Sequence, residues 1–178
     1  MTTRGSLLGM RSLEGIRNKS AVSSLCSVNM NENLKALAHD LTKTSPRSPR
    51  ETLGGFVIAA RTLDKCRAVL AGTNGEYHFD CPLDGRFFEF TGIAADAFKN
   101  FAATGAKDEE VGVWISENSK IKEKSEVVSW NNKMRCMRPC DMPVELQIFL
   151  EGYIPQFLPK GRPVYVWFDV YDLEEGRI

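Results

Sequence analysis

Apolar residues recur along most of this chain at steps of three and four, the spacing that gives a helix one dry face. The first such run, Leu34, Leu37, Ala38 and Leu41, predicts a short amphipathic helix over 33–41 that docks against a larger body. Next, Ser48-Pro49-Arg50-Glu51 offers a hydroxyl at the cap, proline at the first helical position and a glutamate three residues after the cap, the parts of a capping box. A long central helix is therefore predicted from Pro49 to Ala71, stopped by Gly72, the residue type that takes the left-handed conformation past a helix end. Downstream, Asp84 reads as a cap with Leu83 stapling onto Phe88, and that helix ends by Gly92. Ile93, Ala97, Phe98, Phe101 and Ala102 share a stripe closed by Gly105. Asp108-Glu109-Glu110 then put negative charge at the start of a helix whose inward face is Val111, Trp114 and Ile115. These two predict a helical hairpin. Ser125 caps a helix carrying Val127, Trp130, Met134 and Met137, broken at Pro139. Asp141 with Pro143 opens another, with Leu146, Phe149, Leu150 and Tyr153 inward, ending near Pro155 or Pro159.

The final segment is ambiguous by pattern. Val164, Val166, Phe168 and Val170 alternate like a strand, whereas Val164, Trp167, Phe168 and Tyr171 step like a helix. Pro163, Gly176 and the lack of any evident partner strand favour the helix, since an isolated strand leaves its backbone groups unsatisfied. The expected class is all-α: a single compact helical domain of about six to eight helices around the long central one.

Composition agrees with a globular body. At 178 residues the chain holds one domain, or one domain with a tail. Lys plus Arg and Asp plus Glu both total 23, so the net charge is zero and the electrostatic grip of a dedicated nucleic-acid binder is disfavoured. No apolar run approaches the ~18 residues of a spanning helix, so no membrane insertion is expected. Residues 1–29 differ from the rest: Arg4, Arg11, Arg17 and Lys19 face only Glu14, and serines are frequent. They read as a basic, disordered leader or a start placed too far upstream, with an organelle transit sequence as the third reading. The domain is expected over 30–178. Cys26, Cys66, Cys81, Cys136 and Cys140 are scattered and odd in number, which points to free thiols and a cytoplasmic location. They lack the two close pairs of a zinc site, and only His39 and His78 are present, so no metal or cofactor is expected.

The central helix carries the candidate chemistry. At about 100° per residue from Leu53, Val57, Ala60 and Ala68 mark the dry face, yet Asp64 falls roughly 20° and Arg67 roughly 40° from its centre. Arg61 lies on the shoulder at about 80°, while Lys65, at about 120°, is expected to point away. Charges are almost never buried alone, because desolvation costs several kcal/mol per ion, so Asp64 should pair with Arg61 or Arg67. Such a network either clamps the helix to its neighbours or opens onto a pocket where the guanidinium forks take a carboxylate or phosphate. The functional reading is a binding or interaction module for a small anionic ligand or a protein partner, with Arg61, Asp64, Arg67 and Tyr77 at its site. The alternative is an enzyme with Asp64 as general acid or base and Arg61 and Arg67 orienting an anionic substrate.

Ser48-Pro49-Arg50-Glu51-Thr52-Leu53-Gly54-Gly55, Ala60-Arg61-Thr62-Leu63-Asp64-Lys65-Cys66-Arg67-Ala68, Gly75-Glu76-Tyr77, Cys81-Pro82-Leu83-Asp84 and Phe90-Thr91-Gly92-Ile93 together resemble the bacterial family called domain of unknown function 5069. The likeness spans Pro46 to Trp114 and extends loosely to Arg177. It implies a small, soluble, helical, bacterial-type domain and no particular activity.

Other constellations are weaker. Cys81 and His78, three apart in a loop, could be a thiolate and its base, but a nucleophile needs its base in hydrogen-bond reach and an oxyanion donor. Gly54-Gly55 lack the Gly-Lys-Ser/Thr of a phosphate loop and are expected to serve close packing of a crossing helix. From Lys120 to Arg138 there are six basic residues against two acidic ones, an edge that could meet RNA or an acidic partner but is usually only solvated surface.

Overall fold

A computed structural model describes residues 32–178, so expectations for the leader fall outside the described residues. The fold is all-α in class, as the periodicities predict. Its helices are α1 (Glu32–Leu37), α2 (Ala59–Ala71), α3 (Pro82–Thr91), α4 (Ala95–Ala103), α5 (Asp108–Asn118), α6 (Lys124–Arg135), α7 (Val144–Phe157) and α8 (Trp167–Glu174). The ambiguous last segment is α8. α2 runs through the centre, with α1, α3 and α4 against it, and one contiguous core gathers Leu63, Leu83, Phe87, Phe98, Ile115, Leu150, Trp167 and Phe168. The α4–α5 hairpin is held by Phe101 stacked on Trp114, ring centres 4.9 Å apart.

The central helix is shorter than its sequence predicts. Ser48 to Glu51 form the local hydrogen bonds of a helix start, with the Arg50 amide donating to Ser48 Oγ and the Ser48 amide to Glu51 Oε1. The chain then leaves that path. Thr52–Leu53 (β1) and Phe56–Val57 (β2) pair as an antiparallel hairpin, with Leu53 opposite Phe56. Gly54 and Gly55, at φ 59° and 87°, make the two-residue turn that needs positive φ at both positions. Gly54 also packs against another helix, as expected of it, though from the turn: a Cβ there would lie 2.8 Å from the Gly112 carbonyl oxygen of α5.

Some helix ends elsewhere follow their predicted residues; others shift, since α6 is capped at Glu123 rather than Ser125, and Asp141 lies in a short 3-10 turn ahead of α7, whose cap is Pro143. Gly72 and Gly92 occupy left-handed caps after α2 and α3. α3 differs in detail: Cys81 is its N-cap, and Asp84 sits one turn in, where its carboxylate receives the Cys81 amide.

Candidate functional site

α2 has no outward face over most of its length, since all ten residues from Ala59 to Ala68 are buried. That overturns the expectation for Lys65, which is fully buried beside Asp84, Nζ to Oδ2 2.8 Å. Each charged side chain of α2 is met by a partner from elsewhere in the chain. Asp64 does not pair with Arg61 or Arg67. Its partner is Arg47, which donates through Nε (3.0 Å), Nη2 (2.7 Å) and its own backbone amide (2.9 Å). The two neighbouring arginines, although three residues away along the helix, turn to carboxylates from other segments. Arg61 forms a bidentate pair with Glu175, at 2.6 and 2.9 Å, and donates to the Arg47 carbonyl. Arg67 donates to Asp108 at 2.6 Å and to the Ala106 carbonyl at 2.7 Å.

These pairs join into one network. Arg47 bridges Asp64 and Asp108, so it links the start of α5 to α2. At the other side Arg177 meets Asp172, Glu175 and the Pro46 carbonyl, and Arg50 meets Asp169 and Asp172. Five arginines (47, 50, 61, 67, 177) thus face five carboxylates (64, 108, 169, 172, 175), which leaves the buried assembly neutral. Burial alone would raise the Asp108 carboxyl, but hydrogen bonds from Arg67 and Arg47 outweigh it and hold it below its ordinary value. At Asp169 burial is likewise outweighed, by the Val166 and Tyr165 amides and the Arg50 guanidinium. Of the buried side-chain nitrogens and oxygens among the described residues, Nε of Arg61 and of Arg67 find no acceptor.

Tyr77 stands over this network. The Arg61 guanidinium lies between two rings, 5.6 Å from the centre of Tyr77 and 5.0 Å from that of Tyr171. Burial first, then the charge of Glu175, pushes the Tyr77 phenol up to about 12. Above Arg61 opens a cleft of about 570 Å³ whose wall includes Tyr77, Glu76, Glu174, Glu175, Ser45 and Phe157. The residues expected at the site are therefore only partly brought together: Tyr77 lines this cleft and Arg61 lies buried behind its wall, against Tyr77 and Glu175, whereas Asp64 and Arg67 are held by Arg47 and Asp108. Arg47, Asp108, Glu175, Lys65 and Asp84 are the partners that helix periodicity missed. One signal was present: Asp169, Asp172 and Glu175 step by three, which puts their carboxylates on one side of the last helix.

The weaker constellations also resolve. The Cys81 sulfur accepts from Lys65 Nζ, at 3.0 Å, while His78 is exposed. Four of the six basic side chains on the 120–138 edge are engaged locally: Lys120 on the Glu89 carbonyl, Lys122 on carbonyls in the last turn of α5, Arg135 on Asn132 and Arg138 on Asp141. Among the described residues no group of three or more His, Cys, Asp or Glu is disposed to hold a metal ion, and no helix is long and apolar enough to cross a membrane. Among curated proteins no sequence matches the chain. Residues 43–177 match the family model described as a domain of unknown function (DUF5069), and the chain belongs to that family.

Proposed function

We propose that the chain is a binding module, one domain over residues 30–178, whose ligand site is the cleft above Arg61, and that the arginine–carboxylate network is the scaffold that holds this cleft open. The carrying observation is the make-up of the cleft wall, where Glu76 and Glu174 stand beside the rings of Tyr77 and Phe157. Carboxylates next to aromatic faces suit a small organic cation, because both attract positive charge. A small anion is the less favoured guest, since it would have to displace Glu175 from both arms of Arg61. The same logic weighs against Asp64 as a general acid or base. It is 1% exposed and already accepts from Arg47 through side chain and backbone, so no substrate proton has a path to it. A protein partner presenting a lysine or arginine would satisfy the cleft by the same chemistry. A reducing, cytoplasmic setting is part of this reading, supported by free thiols at Cys66, Cys81, Cys136 and Cys140.

Thermal shift against matched panels of amines and of anionic metabolites tests the proposal. An amine at a hundredfold excess over its Kd stabilises by about 2.7 kcal/mol, which raises Tm by roughly 5–10 °C in a chain of this size. Glu76→Gln should abolish the shift while leaving the free protein's Tm in place, because Glu76 is exposed. Stabilisation by carboxylates or phosphates with none by amines contradicts the reading.

A further inference from the structure

Away from the cleft, α2 and the start of α3 bring together a thiol, an amine and a carboxylate. Cys81 ends the loop before α3 and its sulfur receives a hydrogen bond from Lys65 Nζ at 3.0 Å. Lys65 is itself fully buried, with Asp84 Oδ2 2.8 Å from the same nitrogen, and the other Asp84 oxygen accepts from the Thr62 hydroxyl at 2.8 Å. Asp84 is thereby fixed where it can exchange a proton with the amine. Cys81 remains half-buried, beside a narrow slot lined by Pro82, Met142, Leu146 and Trp167. A partly accessible sulfur next to a cation and at a helix start has the surroundings of cysteines that react. The other described thiols lack this combination. Cys66 is buried and burial pushes it up to about 12, while Cys136 and Cys140 lie exposed after the end of α6, the Cys140 sulfur 3.8 Å from the Asp141 carboxylate.

We propose that Cys81 and Lys65 form a peroxide-responsive modification site, in which oxidised Cys81 is captured by the Lys65 amine as a sulfur–nitrogen bond. The Cys81 sulfur attacks a hydroperoxide: an S–O bond forms, the O–O bond breaks, and sulfur gives up the two electrons the peroxide gains, leaving a sulfenic acid and an alcohol or water. Lys65 passes one proton to Asp84, and its freed lone pair attacks the sulfur. The S–N bond forms as the S–O bond breaks, and the departing hydroxide takes a second amine proton and leaves as water. Two equivalents of a thiol reductant reverse the change, returning thiol and amine and forming one disulfide. The crosslink protects Cys81 from further oxidation and ties α2 covalently to the start of α3.

The full chain is treated with hydrogen peroxide, alkylated while unfolding, digested without reductant and mapped by mass spectrometry. The expected product is about 2 Da lighter than the reduced chain, because the link removes one hydrogen from sulfur and one from nitrogen. Fragmentation should join Lys65 to Cys81, cleavage after Lys65 should be lost, and dithiothreitol should restore both. Cys66→Ala should leave the product in place, and Lys65→Arg should replace it with a sulfenic acid that dimedone traps. Recovery of Cys81 from the peroxide-treated wild-type chain as a sulfinic acid, as a disulfide with Cys66, or unreacted would overturn the proposal, whether or not the Lys65 variant folds.

Discussion

Asp64 and Lys65 are adjacent in sequence and both buried, yet they are stabilised by different partners on different sides of α2. Removing one member of such a pair leaves the other charge in a dry site, at a cost of about 3–5 kcal/mol. Lys65–Asp84 should lie at the upper end, because both side chains are fully buried. Lys65→Met is accordingly expected to lower stability by about 4 kcal/mol in urea denaturation, while Lys65→Met with Asp84→Leu should recover most of the loss, since two apolar groups leave no charge stranded. Asp64→Asn should cost less, about 2–3 kcal/mol, because Arg47 keeps Asp108 and is partly reached by solvent. Two phenols report on the same region. Tyr171, buried, is pushed well above its ordinary value, by burial first, and Tyr77 is raised as well. A phenol held neutral in the fold contributes stability that is present below pH 10 and lost as pH climbs through the raised value. An ultraviolet titration should therefore show Tyr77 and Tyr171 ionising late, together with alkaline unfolding; early ionisation of all four tyrosines would contradict their burial.

At the level of elements, most helices were legible from the spacing of their apolar residues and from their glycine stops. The exception is instructive about what periodicity measures. Ser48 to Glu51 carry real helix-start chemistry and make the corresponding hydrogen bonds, but Gly54-Gly55 favour a two-residue turn, and the flanking Leu53 and Phe56 face each other across it. A glycine pair between apolar residues was a hairpin signal that the capping box masked. The angles then failed for a second reason. A periodic pattern reports which face of a helix is dry, and α2 is dry on every side from Ala59 to Ala68, so Lys65 could not be assigned an outward direction from phase. The pairings of Asp64 and Arg61 were also beyond local spacing, since Arg47 lies 17 residues from Asp64 and Glu175 114 residues from Arg61. The hairpin makes its own prediction. Gly55→Ala meets nothing within 4 Å and should cost only the strain of its positive φ, about 1 kcal/mol. Gly54→Ala adds a collision with the Gly112 carbonyl and should cost at least about 1 kcal/mol more, measured by the shift in denaturation midpoint.

Across the whole molecule, the network joins segments that hydrophobic packing alone leaves free to slide. Residues 46–50, α2, the start of α5 and the end of α8 meet through paired charges, so the last residues are part of the scaffold. Acid should loosen it first. Asp108 and Asp169 bind their protons less tightly in the fold than in the unfolded chain, where the ordinary value is 3.8. Their contribution is therefore complete above about pH 4 and falls away as pH drops through their lowered values, and urea midpoints should decline on the acid side of pH 4. The inward charges of α2 serve the fold by pairing with carboxylates and a guanidinium from other segments. A double-mutant cycle on Arg61 and Glu175, read by urea denaturation, tests it most directly. Arg61→Met and Glu175→Met should each cost about 3 kcal/mol, and the double variant should cost no more than either alone, a coupling of at least about 3 kcal/mol. Additive losses, or an Arg61 variant as stable as the parent, would contradict it.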